Sequence, residues 1–179
     1  MKKMLSIVLT LAILAVSAAA FAEGPVITYD PAVFKALGVE AATLSLEDYG
    51  LWVDIPSEML ALEVSEEEAA AGTVAAFSAG DGSYAVSVGF SQVLDGEGNY
   101  FEDYASLSAC YAEMGVTEME IADINGLYAM TYLLADYDMM GAVYLFDEGW
   151  VLAFNFSGAS NEALTAVSTA IISSIRPAE

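Results

Sequence analysis

The chain has 179 residues, with 26 Asp and Glu against 4 Lys and Arg, no histidine, a formal net charge of −22 and an apolar fraction of 57%. Such acidity argues against nucleic acid, which is bound through clustered Lys and Arg, and against an anionic membrane surface. The apolar content excludes a disordered chain, the missing histidine excludes Ser-His-Asp and Cys-His catalysis, and the length suits one domain.

Met1-Lys2-Lys3 is a short basic start, and the stretch from Met4 to Ala20 is almost wholly apolar. Ala20-Phe21-Ala22 then places small residues at the two positions a signal peptidase reads. This is the pattern of a secretory signal peptide cut after Ala22. The chain is therefore expected in the extracellular or cell-envelope space, with no membrane insertion after cleavage. Cleavage removes Lys2 and Lys3 and no acid, so Lys35 and Arg176 remain as the only cations. Cys110 is the single cysteine, so no intramolecular disulfide can form. With no imidazole to activate it, Cys110 reads as a small apolar residue on a helix.

Residues 23–40 read as an N-terminal leader with a short helix, and 41–179 as one domain. Asp30-Pro31 is a helix start, with Asp as cap and Pro at the first helical position; Gly38 stops that helix. Strands are expected over 41–48 and 51–55, the second ended by Pro56. Ser65 and Glu68 form a capping box. A hairpin follows, 73–78 and 84–92, in which Tyr84, Val86, Val88 and Phe90 share one face. Asn99 and Glu102 make a second capping box, opening a helix over 100–114 with Leu107, Cys110, Tyr111 and Met114 at helical spacing. Residues 117–124 alternate as a strand. Asn125-Gly126 is a strong hairpin signal, because both residues accept positive φ, and 127–135 returns. Strands over 142–146 and 150–156 surround the turn Asp147-Glu148-Gly149. Ser160 caps a closing helix with Leu164, Val167, Ile171 and Ile175 on one face.

Several strands are apolar on both faces. In 127–134, Tyr128, Met130, Tyr132 and Leu134 point one way, and Leu127, Ala129, Thr131 and Leu133 the other. A sheet bare to water on one side would alternate more cleanly. The expected class is therefore α+β, a mainly antiparallel sheet covered by helices on both faces, the covers being the 100–114 and 160–175 helices.

Three patches carry a family resemblance. They are Tyr-Gly-Leu-Trp-Val-Asp-Ile-Pro-Ser-Glu-Met at 49–59, Ile-Asn-Gly-Leu-Tyr-Ala at 124–129, and the closing helix over 163–175. In these patches and in the order of its elements the chain resembles the PsbP-like families, named after an extrinsic subunit of photosystem II and including secreted bacterial proteins. The resemblance spans about residues 41–177. It implies an α/β/α sandwich with a mainly antiparallel sheet. Members bind metals, protein partners or nothing known, and photosynthetic members that bind metal use histidine, which this chain lacks. No functional residue carries over, since a shared fold does not decide function.

Candidate chemistry is sparse. Asp95-Gly96-Glu97-Gly98-Asn99 resembles the start of a calcium loop, but Tyr100 stands where that motif has glycine and Ser106 where it has a bidentate Glu. It reads as a solvated turn. Glu66-Glu67-Glu68 reads as a solvated helix start. Met139-Met140 offers soft copper ligands, yet neighbours on a strand point to opposite faces. Tyr128, Met130, Tyr132 and Tyr144 read as core under a helix, with an aromatic groove as the minority reading. Gly80-Asp81-Gly82 lacks the helix N-terminus and Lys of a phosphate loop. A Ser-Lys dyad would need Lys35. No catalytic, cofactor-binding or metal residue is assigned, and no cofactor is implied. The expected function is a secreted, acidic, non-enzymatic binding or accessory module for an unknown protein or small-molecule ligand. The alternatives are a calcium-binding surface protein and a carboxylate-dependent hydrolase.

Overall fold

The computed structural model describes residues 24–178. The expected signal segment, 1–22, lies outside the described residues. Alternating apolar residues and tight turns build two sheets. The larger uses eight strands in the order β1-β7-β8-β9-β10-β6-β5-β4. These are β1 (Val26–Ile27), β4 (Leu60–Ala61), β5 (Thr73–Ser78), β6 (Ala85–Gln92), β7 (Thr117–Ile124), β8 (Leu127–Leu134), β9 (Met139–Leu145) and β10 (Trp150–Ser157). All its pairings are antiparallel except that of β1 with β7. The smaller sheet has the order β11-β3-β2, from β2 (Ala41–Leu46), β3 (Leu51–Pro56) and β11 (Arg176–Pro177). Among the described residues there are also four α-helices: α1 (Ala32–Ala36), α2 (Glu66–Ala70), α3 (Tyr104–Glu113) and α4 (Glu162–Ser174). The class is thus α+β with a mostly antiparallel sheet, as expected.

One face of the large sheet carries the main core. Tyr84, Val86 and Val88 of the β6 hairpin meet Leu152, Phe154 and Phe156 of β10, all buried. Their cover is α4, through Ile171 and Ile172, with Ile175 just beyond its end and Leu51, Val53 and Ile55 of β3. The three-stranded sheet is cover the sequence does not predict: β2 and β3 are legible, but β11 and their separation from the main sheet depend on distant partners. The opposite face holds a second cluster, in which Leu107 of α3 meets Met130, Tyr132, Val143 and Val151. Cys110 packs half-buried at its edge.

Local chemistry corrects several expectations. The helix expected over 100–114 begins at Tyr104, and its cap is Asp103, whose carboxylate accepts from the Ser106 N–H at 2.8 Å. Asn99 is drawn instead into the preceding loop. The closing helix is capped by Asn161 rather than Ser160; its Oδ1 accepts from Ala163 N at 3.0 Å. The Ser65–Glu68 capping box forms as expected. So does the Asn125-Gly126 turn, with φ of 54° and 85°.

Candidate functional site

The row of side chains on the inner face of β6 and β10 runs out to solvent at both ends, and each end opens into a cleft. At the start of β6 lies a cleft of about 440 Å³ lined by Tyr84, Met59, Leu164, Val167 and the 79–83 turn, with Glu58 and Asp81 on its wall. Tyr84 shares a 2.9 Å hydrogen bond with Ser168, and burial pushes its hydroxyl up to about 12, against that bond. Asp81 serves its own turn: Oδ1 accepts from the Ser83 hydroxyl at 2.6 Å and the Ser83 N–H at 3.0 Å. The hydroxyl bond, then the N–H bond, hold its carboxyl below the usual range.

At the other end lies a cleft of about 310 Å³ lined by Asp48, Tyr49, Phe90, Phe146, Asp147 and Trp150. Along the inner face of β10, Phe156, Phe154 and Leu152 are buried, but Trp150 is 36% exposed. Trp150 pairs with Gln92 and Leu152 with Phe90, so Trp150 and Phe90 are diagonal neighbours across the strands. Their rings stack at 4.8 Å with 12° between planes. Tyr49 tilts against Phe90 at 4.8 Å, and Phe146 meets it edge-on at 6.2 Å. These are offset and edge geometries that aromatic quadrupoles favour.

Two tight turns hold this arrangement. Tyr49 ends the short 3-10 turn Glu47–Tyr49, closed by Gly50 in the left-handed region. Phe146 and Trp150 flank Asp147–Gly149, closed by the Phe146 N–H on the Trp150 carbonyl at 2.7 Å. Gly149 has φ of 69°, and a Cβ there would stand 2.7 Å from the Val93 carbonyl oxygen. The Gly149 carbonyl in turn accepts from Val93 N at 2.8 Å, and Gln92 Nε2 donates to the Glu148 carbonyl at 2.9 Å. The cleft is therefore pre-formed on cross-linked backbone.

Of the residues singled out from sequence, Gly80 and Asp81 line the Tyr84 cleft, and the others lie elsewhere. Met130 and Tyr132 are buried under α3, with Tyr111 edge-on to Tyr132 at 5.6 Å. Tyr128 shares their face but is exposed, and Tyr144 lies on the opposite face in the main core. The four do not form a groove. Asp95 binds its own loop: Oδ1 accepts from Glu97 N and Asn99 N, both at 2.8 Å, and Oδ2 from Asn99 Nδ2 at 3.0 Å. Glu68 closes its capping box, Met140 packs on the main core, and Lys35 stands exposed on α1. Among the described residues no three Asp, Glu or Cys side chains converge on a point that would hold a metal. The aromatic cleft escaped sequence reading because its parts come from three separate segments. The usable signal was an acid beside an aromatic residue in each of two turns, Asp48-Tyr49 and Phe146-Asp147.

Among the described residues the one ion pair lies apart from both clefts. Arg176 donates to Asp54 Oδ1 at 3.0 Å, Thr43 Oγ1 to the same oxygen at 2.8 Å, and the Tyr29 hydroxyl to Oδ2. Partial burial pushes the Asp54 carboxyl up. The hydrogen bonds from Tyr29, Thr43 and Arg176, with the Arg176 charge, outweigh this and hold it below its usual 3.8. Burial, then the bond to Asp54, raises the Tyr29 hydroxyl. The guanidinium also lies over the Tyr29 ring, 5.1 Å from its centroid. This cluster joins the leader, β2, β3 and β11, and so is a structural tie. No protein-family model matches the chain, and no curated protein is significantly similar to it.

Proposed function

We propose that this is an exported, non-enzymatic binding or accessory module that recognises its ligand through the aromatic cleft at Trp150. The single observation that carries this reading is the cleft itself. Four aromatic side chains meet at one surface opening on rigid turns, where a core residue would be expected to turn inward. Preorganised aromatic surface of this kind gives contact area at low entropic cost. The larger cleft at Tyr84 has mostly aliphatic walls, and several of its polar groups are engaged within the protein: Tyr84 bonds Ser168, and Asp81 bonds Ser83.

The signal-peptide pattern of residues 1–22 supports export. The PsbP-like resemblance supports an accessory role and the finer α/β/α arrangement, with α3 over one sheet face and α4 with the small sheet over the other. The test is equilibrium binding of a panel of small organic cations, small anions and neutral saccharides, followed by heat of titration, with Trp150→Ala as the control. Saturable binding in any class, lost in the variant, supports the reading. Binding in no class, or binding that survives Trp150→Ala, contradicts it.

A further inference from the structure

The cleft at Trp150 carries more than apolar surface. Asp48, next to Tyr49 in sequence, and Asp147, next to Phe146, both line the opening, so two acidic residues border it together with the rings. Both residues are exposed, and among the described residues neither carboxylate accepts a side-chain hydrogen bond. The whole chain carries −22, and among the described residues Lys35 is the only cation outside the Asp54 ion pair. The potential at this opening is therefore strongly negative.

We infer that this cleft binds a small alkylated ammonium cation of the quaternary type. Ring faces carry negative quadrupole potential and attract a cation placed over them. A quaternary ammonium suits them best. It is weakly hydrated, so the rings replace little lost water, and its methyl groups gain apolar contact with Trp150 and Tyr49. A metal ion is a poor fit, because among the described residues no three ligand side chains converge anywhere and aromatic faces cannot replace a tight hydration shell. A primary ammonium keeps its water more firmly than an alkylated one. An anionic or zwitterionic ligand would set its carboxylate against Asp48 and Asp147. The volume, about 310 Å³, lies at the lower end of small-ligand pockets.

This inference rests on the binding-module reading and narrows it to one ligand class. Calorimetric titration of the purified protein with choline, with its uncharged carbon analogue 3,3-dimethylbutan-1-ol, and with cellobiose separates the two. The expected result is saturable choline binding and about tenfold weaker binding of the neutral analogue, roughly the worth of a cation–π contact in a partly desolvated site. Asp48→Asn with Asp147→Asn changes no packing and is expected to weaken choline binding by a similar factor. Trp150→Ala abolishes it, circular dichroism checking that the variant is folded. Equal binding of choline and the neutral analogue overturns the inference and leaves the binding-module reading standing, as does saturable binding of cellobiose alone. Absence of choline binding, or choline binding unchanged in both variants, overturns it as well. Only an empty result across the wider ligand panel removes the underlying reading too.

Discussion

Asn125 does two things at once. It takes the left-handed backbone of the β7–β8 turn, and its amide is fully used: Oδ1 accepts from Tyr29 N at 2.7 Å, while Nδ2 donates to the carbonyls of Ser173 at 2.9 Å and Ile175 at 2.6 Å. It thereby fastens the leader and the end of α4 to one hairpin. Asn125→Ala is expected to cost about 2–4 kcal/mol in chemical denaturation, for lost bonds and strained φ. Asn125→Gly is expected to cost about 1 kcal/mol less, since only the bonds are lost. The turn was legible because Asn-Gly is a local signal. The ties to Tyr29 and α4 were not, since nothing near Asn125 in sequence names partners so far along the chain. Buried tyrosines separate similarly. Among the described residues the buried Tyr144 hydroxyl has no partner, whereas that of Tyr132 donates to Asn155. Tyr144→Phe is therefore expected to leave stability unchanged or raise it by about 1 kcal/mol, while Tyr132→Phe lowers it. Thermal melts of the two variants read the difference directly.

At the scale of elements, the long strands and the Ser65–Glu68 capping box were legible, and the caps of α3 and α4 were not. The β7–β8 hairpin and the β5–β6 hairpin follow from alternation and turn chemistry. The two-residue strands β1, β4 and β11 do not, because so short a strand is defined by its partner and carries no period of its own. Asn99 and Asp103 both stand at plausible distances before α3. The structure uses Asp103, because Asp95 already binds Asn99. Asp103→Ala is thus expected to destabilise by about 1 kcal/mol, a typical cap loss, whereas Asn99→Ala leaves α3 intact; amide exchange along α3 distinguishes the two. Packing between strands is equally specific. A Cβ on Gly141 would stand 2.5 Å from the Tyr132 ring and 2.6 Å from the Phe154 carbonyl oxygen. Gly141→Ala is expected to cost about 1–3 kcal/mol in denaturant titration, since backbone cannot yield as a side-chain tip can.

For the whole molecule, charge sets the conditions of stability. Self-repulsion at −22 is screened over about 10 Å at 0.1 M salt. The melting temperature is expected to rise with sodium chloride; a fall would contradict a repulsive surface. Asp54 acts in the opposite sense to general repulsion on the acid side. Its carboxyl is held below 3.8 in the folded state, so its contribution is fully present above that pH and is lost as pH falls through the lowered folded value. The stability difference between the protein and Asp54→Asn should therefore be constant near neutrality and shrink below about pH 4, as pH-dependent denaturation would show. The coarse class, α+β with a mostly antiparallel sheet, was readable at this scale, because alternating strands with tight turns stand between helical segments. The aromatic cleft was not readable, because Tyr49, Phe90 and Trp150 meet only once two sheets have packed.

The central claim is that this meeting point binds a quaternary ammonium cation. The two tryptophans allow it to be watched with an internal control: Trp150 lies in the cleft, and Trp52 lies on β3 near Arg176, 6.0 Å from the guanidinium carbon to the ring centroid. Their indole N–H signals in a proton–nitrogen NMR spectrum are the direct readout during titration with tetramethylammonium. The account predicts a saturable shift of the Trp150 signal with the Trp52 signal unmoved. Two unmoved signals, or both drifting together without saturation, would contradict it.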